Sequence, residues 1–300
     1  MDKGHESVLL LEAVDALHIK NQALYVDATL GGGGHTIEIL KRGGKVIGIE
    51  ADKSIIEIAK NNIEEARPVP HPLDGRLLHI VNGNAKDIDL IVKNYTHEPV
   101  FGVLYDLGVS NYHFGSEERG FSFKNPKARL DMRLDPDTQS VTAADLLNLL
   151  REDQLFELFR YAMDYKSAKK SAFLIVNFRK TKKFETVGDL LDAIESWKSS
   201  NTKVHPSTKA FLALRIAVNR ELDNAEESIN KAVHLLEKSG RLSVITFHST
   251  EDRLVKNIFK ALAESHKVKI ITKKPITPSA DEIERNIKSR SAKLRVIEKL

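Results

Sequence analysis

The chain has 300 residues, 41% of them hydrophobic and 29% charged, with a formal net charge of +4. This is the composition of a globular protein of one large domain or two. No apolar run is long enough to cross a bilayer, the start Met1-Asp2-Lys3-Gly4-His5-Glu6 does not resemble a signal peptide, and there is no cysteine; disulfides, thiolate metal sites and a cysteine nucleophile are thereby excluded, and a cytoplasmic location is expected.

Val8, Leu9, Ala13, Val14 and Leu17 recur at helical spacing and predict a helix over residues 5–19. Leu24–Ala28 predicts a buried strand. It leads into a turn of four glycines, Gly31 to Gly34, and then a helix from about His35 to Lys41. Glycine admits positive φ and lets a ligand approach the backbone closely. A strand, a glycine turn and a helix in this order are how open α/β sheets hold a nucleotide-like cofactor. Gly43-Gly44 ends the helix. A second strand, Lys45–Ile49, stops at Glu50, and Lys53–Glu65 predicts a helix with Ile55, Ile56, Ala59 and Ile63 inward. Pro68, Pro70 and Pro72 interrupt the chain. Leu77–Val81 predicts a third strand, and Val100–Tyr105 a fourth that ends at Asp106. Strand and helix alternate throughout, which argues for a parallel sheet flanked by helices.

The alternation then stops. Residues 107–135 are rich in Gly, Ser, Asn, Arg and Asp and predict an ordered functional loop. From Thr142 to about Ser200 the pattern is helical, and Lys198–Lys203 reads as an exit linker. Pro206-Ser207 opens a long predicted helix, from Thr208 to about Lys238, with Gly240 as its stop. Leu242–Phe247 is a fifth strand, Glu251–Ala263 a helix, and Val268–Ile271 and Leu294–Ile297 late strands suited to a closing hairpin. The expected organisation is a sheet domain of residues 1–110 and 205–300, interrupted by a loop and an all-helical small domain over 111–204.

Charge is unevenly spread. Arg160, Lys166, Lys169, Lys170, Arg179, Lys180, Lys182 and Lys183 face a single acid, Asp164, and the tail from Arg285 is basic again through Lys288, Arg290, Lys293, Arg295 and Lys299. Two basic stretches suggest a polyanionic partner, most simply nucleic acid; the alternative is a pair of solvated helix faces.

Several residues carry candidate chemistry. An acid at the tip of the second strand, here Glu50, commonly accepts both hydroxyls of a ribose. Together with Gly31, Gly33 and Gly34 it fits either a dinucleotide or S-adenosylmethionine. Thr36 stands where the dinucleotide fingerprint has Gly or Ala. Asp106 and Phe247-His248-Ser249 end strands four and five at the same sheet edge. Arg119-Gly120-Phe121-Ser122-Phe123, Leu130-Asp131-Met132-Arg133-Leu134-Asp135 and Asn286 to Arg295 mix basic, polar and aromatic side chains, which suits phosphate contact and base stacking in single-stranded RNA.

Taken as a set, these stretches resemble the bacterial 16S rRNA (cytosine-N4)-methyltransferases. The resemblance runs through His5-Glu6-Ser7-Val8, Asp27 to His35, Asp106-Leu107-Gly108-Val109-Ser110, Glu118 to Phe123, and Leu130-Asp131-Met132-Arg133. It continues through His205-Pro206-Ser207-Thr208, Ala213 to Asn219, Phe247-His248-Ser249 and Ser289 to Arg295. It implies an α/β fold: a class I methyltransferase (Rossmann-like) sheet with an inserted helical substrate-recognition domain. It also implies S-adenosylmethionine as cofactor, a cytidine in the decoding region of small-subunit rRNA as substrate, and naked rRNA or a 30S particle as partner. No metal is implied. Oligomeric state stays open, with a dimer as one option.

Carried over residue by residue, Gly33, Gly34 and His35 meet the cofactor, Glu50 holds its ribose, and Asp106 lies beside its adenine or methionine end. Ala85 and His113 stand at cofactor-proximal positions where the family more often has Phe and Gln. Glu50 replaces the more usual Asp, Asn111-Tyr112-His113 a Ser-Pro-Gln, and Asn286-Ile287-Lys288 an Asn-Pro-Arg. Expected RNA contacts are Arg119, Phe121, Phe123, Arg133, Lys169, Lys170, Arg215, Asn219, Arg290 and Lys293. The expected reaction is in-line methyl transfer to the cytosine N4, with Asp106 first and His248 second as acceptor of the amine's hydrogen bond. Two other readings are an NAD(P)-dependent oxidoreductase and a non-catalytic RNA-binding or ribosome-assembly factor.

Overall fold

The computed structural model describes residues 7–66, 77–110, 112–113, 118–195 and 206–300. His5-Glu6, the break at Pro68, Pro70 and Pro72, Asn111, the Lys198–Lys203 linker and His205 lie outside the described residues. The chain divides into two compact units: Met1–Val109 with Leu222–Leu300, and Ser110–Glu221.

The first unit is built on strands β1 (Leu24–Asp27), β2 (Lys45–Glu50), β3 (Leu78–Asn82), β4 (Val100–Asp106), β5 (Leu236–Thr246), β6 (Val268–Ile270) and β7 (Lys293–Lys299). They form one sheet in the order β3-β2-β1-β4-β5-β7-β6. Strands β1 to β5 pair parallel, and β7 runs antiparallel between β5 and β6. This is the class I methyltransferase sheet that the resemblance implies.

Successive strand residues point to opposite faces, and both faces are covered. Tyr25, Val46, Leu104 and Ile245 pack with Ala13 and Val14 of the helix Leu10–Ala16, with Ile39 of Gly34–Lys41 and with Ile63 of Lys53–Ala66. Val26, Ile47, Val103 and Val244 pack on the other side, with Ile88 and Val92 of Ile88–Tyr95, Ile229 of Glu221–Leu235 and Val255 of Ser249–Glu264. Strand order reverses between β1 and β4. The crevice beyond the carboxyl ends of such neighbours is where open α/β sheets take ligands.

The boundaries differ from expectation in three places. The first helix is Leu10–Ala16 alone; Leu9 is left-handed at φ 51°, which bars the helix from starting earlier. The long helix expected from Thr208 to Lys238 is two helices, Pro206–Asn219 and Glu221–Leu235, separated at Arg220 with φ 49°. No glycine or proline marks that break. Gly240 lies inside β5 instead of stopping a helix; a Cβ there would stand 2.8 Å from the Glu237 carbonyl oxygen and 3.2 Å from that of Phe101. The helices Ile88–Tyr95 and Ala280–Arg285 were not expected from the pattern.

In the second unit the described regular elements are helices, apart from an isolated bridge between Arg129 and Thr186. Ala143–Leu149, Glu152–Phe159, Tyr165–Phe178, Val187–Glu195 and Pro206–Asn219 enclose Leu147, Leu155, Phe159, Ile175, Leu190 and Leu214. Thr142 and Asp145 form a reciprocal capping box at the first of these helices. Pro206–Asn219 belongs to this unit, so the chain re-enters the first unit at Leu222.

Candidate active site

The glycine turn follows directly from β1. Gly33 has φ 84° and precedes the helix Gly34–Lys41, a conformation that L side chains rarely adopt. A Cβ on Gly33 would lie 3.2 Å from the Ile63 side chain, and one on Gly34 only 2.1 Å from Ser7 Oγ. Glycine is thus demanded at 33 by backbone conformation and at 34 by lack of room. Across the turn, Gly31 N donates to Glu50 Oε2 at 3.0 Å, and Asp52 N donates to Glu50 Oε1 at 2.9 Å. Two backbone N–H groups therefore hold the Glu50 carboxylate at the tip of β2, against the glycine turn.

The two acids that end β1 and β4 are linked through threonine. Asp27 is fully buried and accepts from Thr36 Oγ1 at 2.7 Å and from Thr29 N at 3.3 Å. Thr29 Oγ1 in turn accepts from Asp106 N at 2.6 Å. Burial pushes Asp27 up to about 6, against the hydrogen bonds from Thr36 and Thr29, with the charge of Glu50 adding to the rise. Asp106 lies well above the ordinary carboxylate range, first through burial and then through the nearby charges of Asp27 and Glu251. Its Oδ1 is closed off from solvent and has no hydrogen-bond partner. Buried polar atoms are rarely left unsatisfied in a native protein, so an orphan at a sheet edge marks a place for a ligand group.

Beyond β5, His248 caps the helix Ser249–Glu264. Its Nδ1 accepts from Glu251 N at 3.3 Å, and its Nε2 lies 3.0 Å from Glu251 Oε1. Glu251 is buried and accepts from Phe247 N at 2.8 Å through Oε2. This glutamate escaped the sequence reading, although His248-x-x-Glu251 has capping-box spacing. Next to it, Asp252 pairs with Arg295 at 2.7 Å and Lys293 at 3.0 Å. Burial raises Asp252, but hydrogen bonds from those two cations hold it below its ordinary value.

Asp27, Gly31, Gly33, Gly34, Glu50, Asp106 and His248 thus lie at the carboxyl ends of β1, β2, β4 and β5 in one unit. Ala85 opens a short 3-10 turn just after β3, and its carbonyl accepts from Ser228 Oγ at 2.6 Å. The His35 ring is buried, with Nε2 3.2 Å from the Val8 carbonyl oxygen, so what His35 offers a cofactor is its backbone. Lys293 is tied to Asp252, whereas Arg290 is exposed.

In the second unit several expected RNA contacts serve the fold. Phe121 is 4% exposed, with the His113 ring 5.2 Å away and the Arg119 guanidinium 5.4 Å above it. It is a core residue, not an open platform for a base. His113 is itself 3% exposed, with Nδ1 3.2 Å from the Ser110 carbonyl oxygen, so little of its ring is offered to a ligand. Arg133 pairs with Asp131 at 2.7 Å, and Arg215 with Glu221 at 2.8 Å. Asn219 is buried, accepting from Leu134 N at 2.9 Å and donating to the Met132 carbonyl at 2.8 Å. Arg119 donates to the carbonyls of Arg133 and Leu134. Phe123, Lys169 and Lys170 remain exposed.

The chain matches the model of the MraW methylase family over residues 2–300. A protein of Sulfurihydrogenibium sp. (strain YO3AOP1) named Ribosomal RNA small subunit methyltransferase H is 41% identical over 97% of this chain and 98% of its own length. A Clostridium botulinum (strain Loch Maree / Type A3) protein of the same name is 40% identical over all of both chains. Among solved structures, an rRNA methylase from Streptococcus thermophilus aligns over 100% of this chain and 99% of its own at 12% identity and a TM-score of 0.46, too distant to add to the assignment. With sheet order, glycine turn and edge carboxylates in place and the family model matched almost end to end, the chain belongs to the MraW methylase family.

Proposed function

We infer that the protein transfers the methyl group of S-adenosylmethionine to small-subunit rRNA, and that the acceptor is the exocyclic N4 of a cytidine in the decoding region. The observation that carries this is the buried, unpartnered Oδ1 of Asp106, at the edge where β1 and β4 part and beside the glycine turn. The family match sets aside the oxidoreductase alternative, which shares only the general sheet type.

The residues present fit the cofactor. The turn at Gly31, Gly33 and Gly34 brings backbone close to a ligand without Cβ atoms in the way. Glu50 is fixed at the end of β2, and carboxylate oxygens can each accept more than one hydrogen bond, which suits a ribose. Ala85 lines the β3 side, where the adenine is expected. When bound, S-adenosylmethionine supplies an electrophilic methyl on a positively charged sulfur.

The chain's own work is orientation and charge. The cytosine N4 lone pair is delocalised into the ring, so the amine is a poor nucleophile. A hydrogen-bond acceptor at the amine localises that pair, and a fixed in-line approach supplies much of the rate. Asp106 is placed for the first task, and a neighbouring positive charge favours its ionised, accepting form. His248, held by Glu251, is the second acceptor candidate. The target base must be unpaired or flipped out to reach this edge.

Labelled methyl transfer to naked 16S rRNA and to 30S particles, followed by mapping of the modified nucleotide, tests the proposal. Label on a cytidine N4 is the expected outcome. Absence of transfer to either substrate, with the cofactor bound, would reduce the protein to an RNA-binding or assembly factor.

A further inference from the structure

One face of the second unit has no role in the site described above. The helix Tyr165–Phe178 buries Ala168, Ser171, Ala172 and Ile175. At 3.6 residues per turn these share one side, and Tyr165, Lys166, Lys169, Lys170 and Phe173 fall together within an arc of roughly 140° on the other. All five are exposed, Tyr165 at 60% and Phe173 at 54%. Large aromatic side chains at such exposure on one helix face, interleaved with lysines, are not the usual composition of a solvated surface.

The face is also prepared. The Tyr165 ring packs edge-on against Phe156, with centroids 5.1 Å apart and planes at 72°, which fixes its orientation before any partner arrives. The acid at the helix start, Asp164, is turned to its own backbone: it accepts from Ser167 N at 3.1 Å and Ser167 Oγ at 2.6 Å. No acid occurs between Tyr165 and Phe178. Tyr165 and Phe173 are eight positions apart, hence about 12 Å along the axis, a span for a few nucleotides.

We propose that this helix face is a docking track for a single-stranded RNA segment, with Tyr165 and Phe173 as stacking platforms for bases and Lys166, Lys169 and Lys170 as phosphate contacts. Aromatic platforms flanked by cations are the chemistry that binds single strands without reading sequence. The track rests on the reading of the protein as an RNA methyltransferase and extends it: the segment held here is RNA away from the methylated base. An acidic protein partner would meet the lysines but gain less from two separated rings, so RNA is the occupant the pattern favours.

The test uses the full chain and a fluorescently labelled single-stranded RNA carrying the methylated sequence with its flanks. Tyr165→Ala with Phe173→Ala should weaken binding by about tenfold or more, given what stacking contributes per base. Lys166→Gln, Lys169→Gln and Lys170→Gln together should lower the slope of log affinity against log salt by about two. Thermal stabilisation by S-adenosylmethionine should be unchanged in both variants, which separates loss of the track from loss of the fold. If the wild type binds and methylates RNA and both variants match it in affinity and salt slope, the track is overturned while the enzyme assignment stands. Variants that bind RNA normally but change oligomeric state would make the face a subunit contact and overturn the track equally. Failure of the wild type to bind or methylate any RNA would overturn the parent reading itself.

Discussion

Asp106 N donates to Thr29 Oγ1 at 2.6 Å, so the end of β4 is fastened to the turn that leaves β1. The bond joins the acid proposed to meet the amine with the loop proposed to hold the cofactor. Thr29→Val leaves that N–H without its acceptor, at a cost of about 1–3 kcal/mol. Thr29→Ser should retain near-normal stability and turnover, while Thr29→Val should lose both stability and kcat. Chemical denaturation alongside steady-state methyl transfer checks it; equal kcat in the two variants would show that the fastening is irrelevant to the reaction.

Asp106 is buried without a partner for Oδ1, so the fold gains nothing from its charge. Asp106→Ala should leave stability within about 1 kcal/mol of wild type, or raise it, because it removes an uncompensated polar group. Methyl transfer should fall by at least about a hundredfold, in line with loss of a preorganised polar contact at a reacting group. Near-normal turnover would remove Asp106 from the mechanism.

Glu50 gives a separate signature. Glu50→Ala deletes the acceptor of the Gly31 and Asp52 N–H groups and the expected ribose contact. Hydrogen bonds to a charged group contribute about 1.5–3 kcal/mol, so S-adenosylmethionine should bind about ten to a hundred times more weakly by calorimetry. Because the ribose lies away from the methyl, residual kcat at saturating cofactor should exceed that of Asp106→Ala.

The carboxyl cluster predicts a pH dependence with a definite sign. Asp27 titrates at about 6 in the folded chain and near 3.8 when unfolded. Between those values the folded state holds more protons, so stability falls as pH rises through the window, by up to about 3 kcal/mol for this group. Asp106 acts in the same direction. Asp27→Asn should flatten the profile between pH 4 and 6 in denaturant titrations. Asp189 in the second unit works the other way. Burial raises it, but hydrogen bonds from Lys182, Thr186 and Glu185 lower it to about 2, so its contribution is present above the unfolded value and lost as pH falls through about 2. A cationic cofactor favours ionised Asp106. The extra stabilisation by S-adenosylmethionine over its neutral demethylated product should therefore grow with pH.

Much of the sheet unit was legible because its signals are local. Apolar runs ending in Asp27, Glu50 and Asp106 marked strand ends, and four successive glycines marked the turn between them. The break at Arg220 was not legible, since its positive φ comes without glycine or proline. Nor was the extent of β5. Leu236 to Gly240 joins the sheet through an irregular register opposite Val100 and Gly102, a pairing between distant segments that helical periodicity masked.

By itself the sequence determined the class of sheet, the cofactor loop, the edge carboxylates and the family, because these depend on residue types at fixed short spacings. Only the tertiary structure decided which polar side chains are committed to the fold. Phe121, Arg133, Arg215 and Asn219 look like RNA ligands in one dimension, yet each finds its partner inside the second unit. Asp106 and the Tyr165–Phe173 face are distinguished by lacking such partners or by standing in solvent. Whether a polar or aromatic group is satisfied depends on neighbours brought from far along the chain, and no local pattern records them.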